Sequence, residues 1–346
     1  MKALIGMSGG VDSSVAAWLT MEDGIDCVGA TMRLYTENTT DTADAELVAQ
    51  RLGIPFHVLD LSEEFQCKVM ESFAACYEAG LTPNPCIECN RHLKFGAFLD
   101  KAREMGCDFV VTGHYARIDC NEDTGRYQLR KALDEAKDQT YFLYTLTQQQ
   151  LNHIRFPLGE KAKAEVRNIA QQQGFLNARK RDSQDICFVP DGDYAAFLRR
   201  FTKKNYPTGN YLDLKGNIVG QHQGAVCYTL GQRKGLNLAM GTPVYVCGKN
   251  MAENTVTVGP NEALMRQSLR ASDCNWIAID RPDAPIRVKA KARSRMNEEP
   301  ATLYPEANGT VRVEFDTPQR ALTPGQAVVF YDEDLVVGGG TITEVI

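Results

Sequence analysis

The chain has 346 residues, 43% of them hydrophobic and 24% charged, with a formal net charge of −6 and eleven cysteines. That length allows two or three domains, and no run of about 18 apolar residues marks a membrane span. The acidic balance excludes indiscriminate nucleic-acid binding but leaves room for a local basic face. Nor do the cysteines, odd in number and scattered, form a secreted disulfide framework, and MKALIGMSGG shows no apolar signal region. A reducing cytoplasm is expected, with a few thiols chemically active.

The pattern predicts a strand at Ala3–Ile5, a Gly/Ser-rich turn, and a helix on whose face Val11, Val15, Ala16 and Leu19 recur. In that turn the glycines allow successive N–H groups to point at one anion, backed by the dipole of the helix start. The ATPase P-loop pattern wants Lys-Ser/Thr after its second glycine. Val11 and Asp12 stand there instead, so this is a different phosphate loop.

Further strands are predicted at Cys27–Thr31, Phe56–Leu59 and Phe109–Thr112, with helices at Ala43–Leu52, Leu61–Cys76 and Arg91–Met105. Such alternation makes a parallel sheet covered on both faces, with ligands beyond the carboxyl ends of its strands. Met32, just past the second strand, is therefore placed to touch an adenine. Tyr77–Asn90 reads as a loop because of its two prolines. A hairpin about Asn121–Gly125 is expected near the site, then helices from about Thr140, at Ala162–Gln173 and at Asp193–Arg200. Beyond these come short alternating strands: a small β module over about Gly209–Pro260 and a barrel-like one over about Ser268–Ile346. The expected division is 1–192, 193–265 and 266–346.

Cys86 and Cys89 form C-x-x-C, and Cys187 lies in DSQDICFVP where the α/β domain ends; all three can meet at the sheet's carboxyl edge. Most other cysteines suit burial as small hydrophobes. Zinc on Cys76, Cys86, Cys89 and His92 competes poorly with thiol chemistry, for want of a second C-x-x-C. Ile286–Met296 places Arg287, Lys289, Lys291, Arg293 and Arg295 at alternate positions, five cations on one face if the stretch is a strand. Crowded like charges call for an anion, and phosphate is the natural one.

Together, SGGVDSS, TPNPCIECNRHLKFG, TGHYAR, KDQTYFL, DSQDICFVPDGDY, HQGAVCYTLGQRKGL and TPGQAVVFY resemble, in order and over essentially the whole chain, the tRNA-specific 2-thiouridylases of the ATP-pyrophosphatase superfamily. The resemblance implies adenylylation of the wobble uridine's C2 carbonyl and then sulfur transfer. It implies ATP contacts from Gly6, Met7, Ser8, Gly9, Gly10, Val11, Asp12, Ser13, Met32 and Gly113, with Asp12 catalytic, as a Mg²⁺ ligand or proton acceptor. Cys187 would carry a persulfide sulfur supplied by a donor fed from a cysteine desulfurase, and Cys89 would be the nucleophile that frees it. Contacts to tRNA are implied for Asn84, Pro85, Cys86, His114, Lys137, Asp138, Gln139, Arg293, Ser294 and Gln326. Many relatives carry Asp where this chain has Cys86, so Cys86, Cys89 and Cys187 could alternatively hold a [4Fe–4S] cluster that binds sulfide. Rival readings are another ATP-pyrophosphatase ligase and a redox-sensing RNA-binding protein.

Overall fold

The computed structural model describes residues 1–35, 40–178, 180 and 186–346. Strands β1 (Lys2–Gly6), β2 (Asp26–Arg33), β3 (Phe56–Asp60), β4 (Phe109–Val111) and β7 (Ile154–Arg155) form a parallel sheet in the order β3-β2-β1-β4-β7. Successive side chains of β1 serve opposite faces. Leu4 packs with Val28 and Phe73 on one, Ala3 and Ile5 with Val15 and Val48 on the other. The chain leaves β1 toward β2 on one side, while β4 lies on the other. Their carboxyl ends thus flank a topological switch point, where such sheets open a crevice.

The hairpin of β5 (Ala116–Cys120) and β6 (Tyr127–Lys131) does not join this sheet. It extends the C-terminal one, through Leu335↔Arg130, with Arg117 and Arg130 both paired to Asp334. A middle sheet holds β8 (Gly209–Leu212), β9 (Ile218–His222), β10 (Tyr245–Asn250) and β11 (Thr255–Gly259). The C-terminal strands are β12 (Met265–Trp276), β13 (Ile286–Lys291), β14 (Glu299–Pro305), β15 (Val311–Arg320), β16 (Ala327–Asp332) and β17 (Leu335–Val345). They run β12-β15-β14-β13-β16-β17 and close, β17 onto β12, into a barrel. The predicted α/β sheet followed by two β modules is thus the architecture found. Among the described residues no helix is long and apolar enough to cross a membrane.

Three local expectations fail. The helix expected at Arg91–Met105 starts at Pro85 and runs to Glu104, so the supposed loop contains its first turns. Pro85 occupies the first helical position, where a missing N–H costs nothing and the fixed φ suits the turn. Met32 lies inside β2, half-buried against the core, rather than beyond its end. The helix expected from Thr140 is one short 3₁₀ turn, Thr140–Phe142, and a separate helix at Gln148–Asn152.

Candidate active site

The phosphate loop leaves β1 at Gly6 and enters the helix Val11–Glu22 at Gly10. Gly9 adopts φ +69°, open to few other residues. Met7 and Val11 bury their side chains in the core, so only their backbone can face a ligand. Ser8 N–H donates to Ser13 Oγ at 3.1 Å, and the Ser13 and Ser14 hydroxyls donate back to Gly10 O at 3.1 and 3.0 Å. Asn177 fastens the loop from outside, donating to Gly9 O at 3.1 Å and Ser14 Oγ at 2.9 Å. The loop is therefore shaped in the free protein.

Asp12 is not a free metal ligand. Lys163 Nζ donates to both its oxygens, at 2.7 and 2.8 Å, and Tyr115 Oη donates to Oδ1 at 2.9 Å. The carboxylate is engaged by an ammonium and a phenol, and among the described residues no group of three His, Cys, Asp or Glu side chains can hold a metal. Lys163, Tyr115 and Asn177 escaped the sequence reading as site residues. Lys163 opens the helix Lys163–Gln172 that follows FPLG, and no local pattern shows that it reaches Asp12.

From the end of β4 comes Thr112-Gly113-His114. Gly113 lies so close to the loop that a Cβ there would stand 2.7 Å from Ser13 N and from Asp12 C. His114 is buried, its ring between Phe95 and Phe156. Burial, helped by the Lys94 ammonium, drives its pKa far below the usual value, so the imidazole is neutral. Lys94 Nζ stands 3.5 Å from Nε2, and Thr112 Oγ1 lies 2.6 Å from Nδ1. An ammonium only donates, so Nε2 accepts and Nδ1–H donates to Thr112. His114, expected to touch RNA, is buried here with its ring nitrogens on Lys94 and Thr112.

The thiols lie across the sheet edge. Cys86 and Cys89 sit one turn apart on the helix begun by Pro85, and Cys89 packs in the same core cluster as Phe188 and Val189, which follow Cys187. Cys86 and Cys187 are exposed while Cys89 is buried. The surrounding protein raises all three thiols above the ordinary range, Cys187 to about 12, and Lys94 is the cation that acts on each in the opposite sense. Two other nearby cations are already committed, Arg91 to Asp273 at 2.7 Å and His92 to Glu88 at 3.2 Å. Among the described residues no three His, Cys, Asp or Glu side chains stand together as a metal site, neither Cys86, Cys89 and Cys187 for a [4Fe–4S] cluster nor Cys76, Cys86, Cys89 and His92 for zinc.

Asn84 precedes Pro85 and does not use its side chain to cap the helix. Gln326, expected to touch RNA, instead donates from Nε2 to Thr82 O at 2.9 Å and Pro83 O at 3.2 Å, just ahead of Asn84. Thr82 N–H donates to Pro324 O at 3.0 Å. A turn of the barrel thus grips the leader of the thiol helix. Near the hairpin, Gln139 bonds the Tyr115 backbone through both its amide N–H and its side chain, and Asp138 accepts from Ala132 N–H and Thr140 Oγ1. Lys137 closes the 3₁₀ turn beside them.

The basic stretch is only half a strand. β13 ends at Lys291, with Val288 and Ala290 buried and Arg287 and Lys289 outward, while Arg293, Ser294 and Arg295 lie in the following turn. The compensating anion at Arg287 is Asp316, held bidentately at 2.7 and 2.8 Å. Arg293 turns inward to Leu230 O and Thr323 Oγ1, joining the barrel to the middle module.

Comparison with known proteins covers nearly the whole chain. A family model described as tRNA methyl transferase HUP domain matches residues 1–191, a PRC-barrel domain model of that series 195–260, and an aminomethyltransferase β-barrel model 266–342. The tRNA-specific 2-thiouridylase MnmA of Clostridioides difficile (strain 630) is 48% identical over 99% of this chain and 98% of its own length. The chain belongs to the tRNA-specific 2-thiouridylase family. Another 2-thiouridylase, that of Symbiobacterium thermophilum, is 47% identical over 100% of this chain and 93% of its own.

Proposed function

We propose that this chain is an ATP-dependent sulfurtransferase that converts a tRNA wobble uridine to 2-thiouridine, working in a reducing cytoplasm. One juxtaposition carries the reading. Thr112-Gly113-His114 touches the phosphate loop through Gly113 and the thiol helix through Lys94, so activation and sulfur transfer share one crevice.

A uridine C2 carbonyl has a poor leaving group, so its oxygen first takes AMP from ATP. The C2 oxygen attacks the α phosphorus, the bridging Pα–O bond breaks, and pyrophosphate departs onto the phosphate loop at the start of the helix Val11–Glu22, where helix-end N–H groups and the dipole favour an anion. Lys163, held by Asp12 and Tyr115, supplies positive charge beside that loop. Gly113 borders the nucleotide beside the loop, and Met32, next to last in β2, lies on the adenine side. Among the described residues no three carboxylate, histidine or thiol groups offer Mg²⁺ a ready ligand set, and Asp12 acts as the partner of Lys163.

The terminal sulfur of a Cys187 persulfide then attacks C2 and expels AMP, leaving a C2–S–S–Cys187 link. Cys89 thiolate attacks the Cys187 Sγ, a Cys89–Cys187 disulfide forms, and 2-thiouridine leaves with the electron pair of the broken S–S bond. A thiol reductant reopens the disulfide, and a protein or small-molecule persulfide reloads Cys187. Asn84, Pro85 and Cys86 border the flipped base, with the Asn84 amide free of capping duty to bond its edge. Lys137 and the outward Lys289, Lys291 and Arg295 face the RNA backbone. Incubation with ATP, tRNA and a persulfide donor should yield 2-thiouridine with one AMP and one pyrophosphate each, read by nucleoside mass spectrometry; pyrophosphate release indifferent to tRNA would contradict it.

A further inference from the structure

The helix that carries the thiols is not α throughout. Between Cys89 and Ala97 it widens to a π-helix, and the N–H of Phe98 still reaches back five residues to Leu93 O. In an α-helix Lys94 would point about 140° away from Cys89, five steps of about 100°. A π turn closes at the fifth residue, so the two side chains share a face. Gly96 permits this widening, since a Cβ there would sit 3.2 Å from Arg91 O.

Lys94 is also unlike its neighbours in what holds it. Arg91 and His92 are each tied to a carboxylate. Among the described residues Lys94 pairs with no carboxylate, and its one hydrogen-bond partner is the neutral Nε2 of His114, itself fixed by Thr112. A neutral acceptor anchors the ammonium without cancelling its charge. The described groups that act on the Cys89 thiol are Cys86 and Lys94, with Cys187 coupled to all three; burial and the neighbouring thiols oppose ionisation, and Lys94 favours it.

We propose that the π turn and His114 together station Lys94 as the charge partner that lowers the cost of ionising Cys89, so that its thiolate can form at the moment of sulfur release, the thiol proton passing to solvent while Lys94 stays an ammonium. This rests on the nucleophile role given to Cys89 above. The test uses the full-length protein without tRNA or ATP: Cys89 alkylation by iodoacetamide, quantified by peptide mass spectrometry from about pH 6 to about pH 10. Lys94→Met should slow Cys89 by about tenfold at neutral pH and move its profile up by about one unit. Lys94→Arg should restore much of the rate. Gly96→Ala, which keeps the lysine but crowds the π turn, should fall between wild type and Lys94→Met. A folded Lys94→Met whose profile superposes on wild type overturns the proposal. If Lys94→Met proves unfolded, a wild-type profile in Gly96→Ala and in Lys94→Gln does so. The thiolation assay is separate: a shifted profile in a protein that makes no 2-thiouridine sinks the proposed function and spares the pairing.

Discussion

The two halves of the crevice are finished to different degrees. Around the phosphate loop every recognised side chain already has its partner: Asp12 with Lys163 and Tyr115, Ser13 and Ser14 with Gly10, Asn177 with Gly9. Across the sheet edge three thiols lie together, all disfavoured as anions, against one ammonium. A rigid anion cradle is useful at once, because charge develops where donors already point. Thiolates exposed before an activated base arrives would only be oxidised. The contrast orders the reaction: activation is prepared in the free protein, and sulfur chemistry waits.

If the halves are separable in this way, Cys187→Ser should abolish thiolation to background yet keep tRNA-dependent pyrophosphate release near wild type; loss of both would break the separation. Conversely, Asp12→Ala or Lys163→Met should lower pyrophosphate release by about 10²- to 10³-fold, an effect of the size seen when a fixed charge partner of a transition state is lost. Cys89 alkylation in those variants should not change, and a changed rate would mean the loop and thiols are one unit. A smaller effect is expected where the barrel grips the helix leader. Gln326→Ala frees Thr82 O and Pro83 O and should cut turnover about tenfold through looser placement of Asn84 and Cys86, with tRNA affinity unchanged. Weaker tRNA binding would make Gln326 an RNA contact after all. Smallest of all, Lys289→Ala should reduce the salt slope of tRNA binding by about one, whereas Arg287→Ala should not, since Asp316 already neutralises that guanidinium.

The phosphate loop and the sheet behind it were legible because each rests on local pattern: a strand, two glycines, a helical stripe. Its wiring was not. Lys163 and Tyr115 reach Asp12 from 151 and 103 residues away, and only the fold brings them there. The thiols were found by their spacing, but the helix under two of them was missed because Pro85 was read as a breaker when it is a starter. The basic stretch failed for a related reason. Alternation continues to Arg295 in the sequence, but the strand stops at Lys291, and pairing with Asp316 on β15 is invisible from β13 alone. The π turn leaves no periodic signature that an α-helical reading would detect, and it decides which face Lys94 occupies.

The central claim is that sulfur passes from Cys187 to the base and that Cys89 frees it. A single turnover with ³⁵S-labelled Cys187 persulfide, ATP and tRNA tests it, comparing wild type with Cys89→Ser. Wild type should give labelled 2-thiouridine and a Cys89–Cys187 disulfide in equal amounts. Cys89→Ser should stop with tRNA attached to Cys187 through a disulfide that added thiol releases. Free labelled 2-thiouridine from Cys89→Ser at the wild-type rate, with no attached tRNA, would contradict the account.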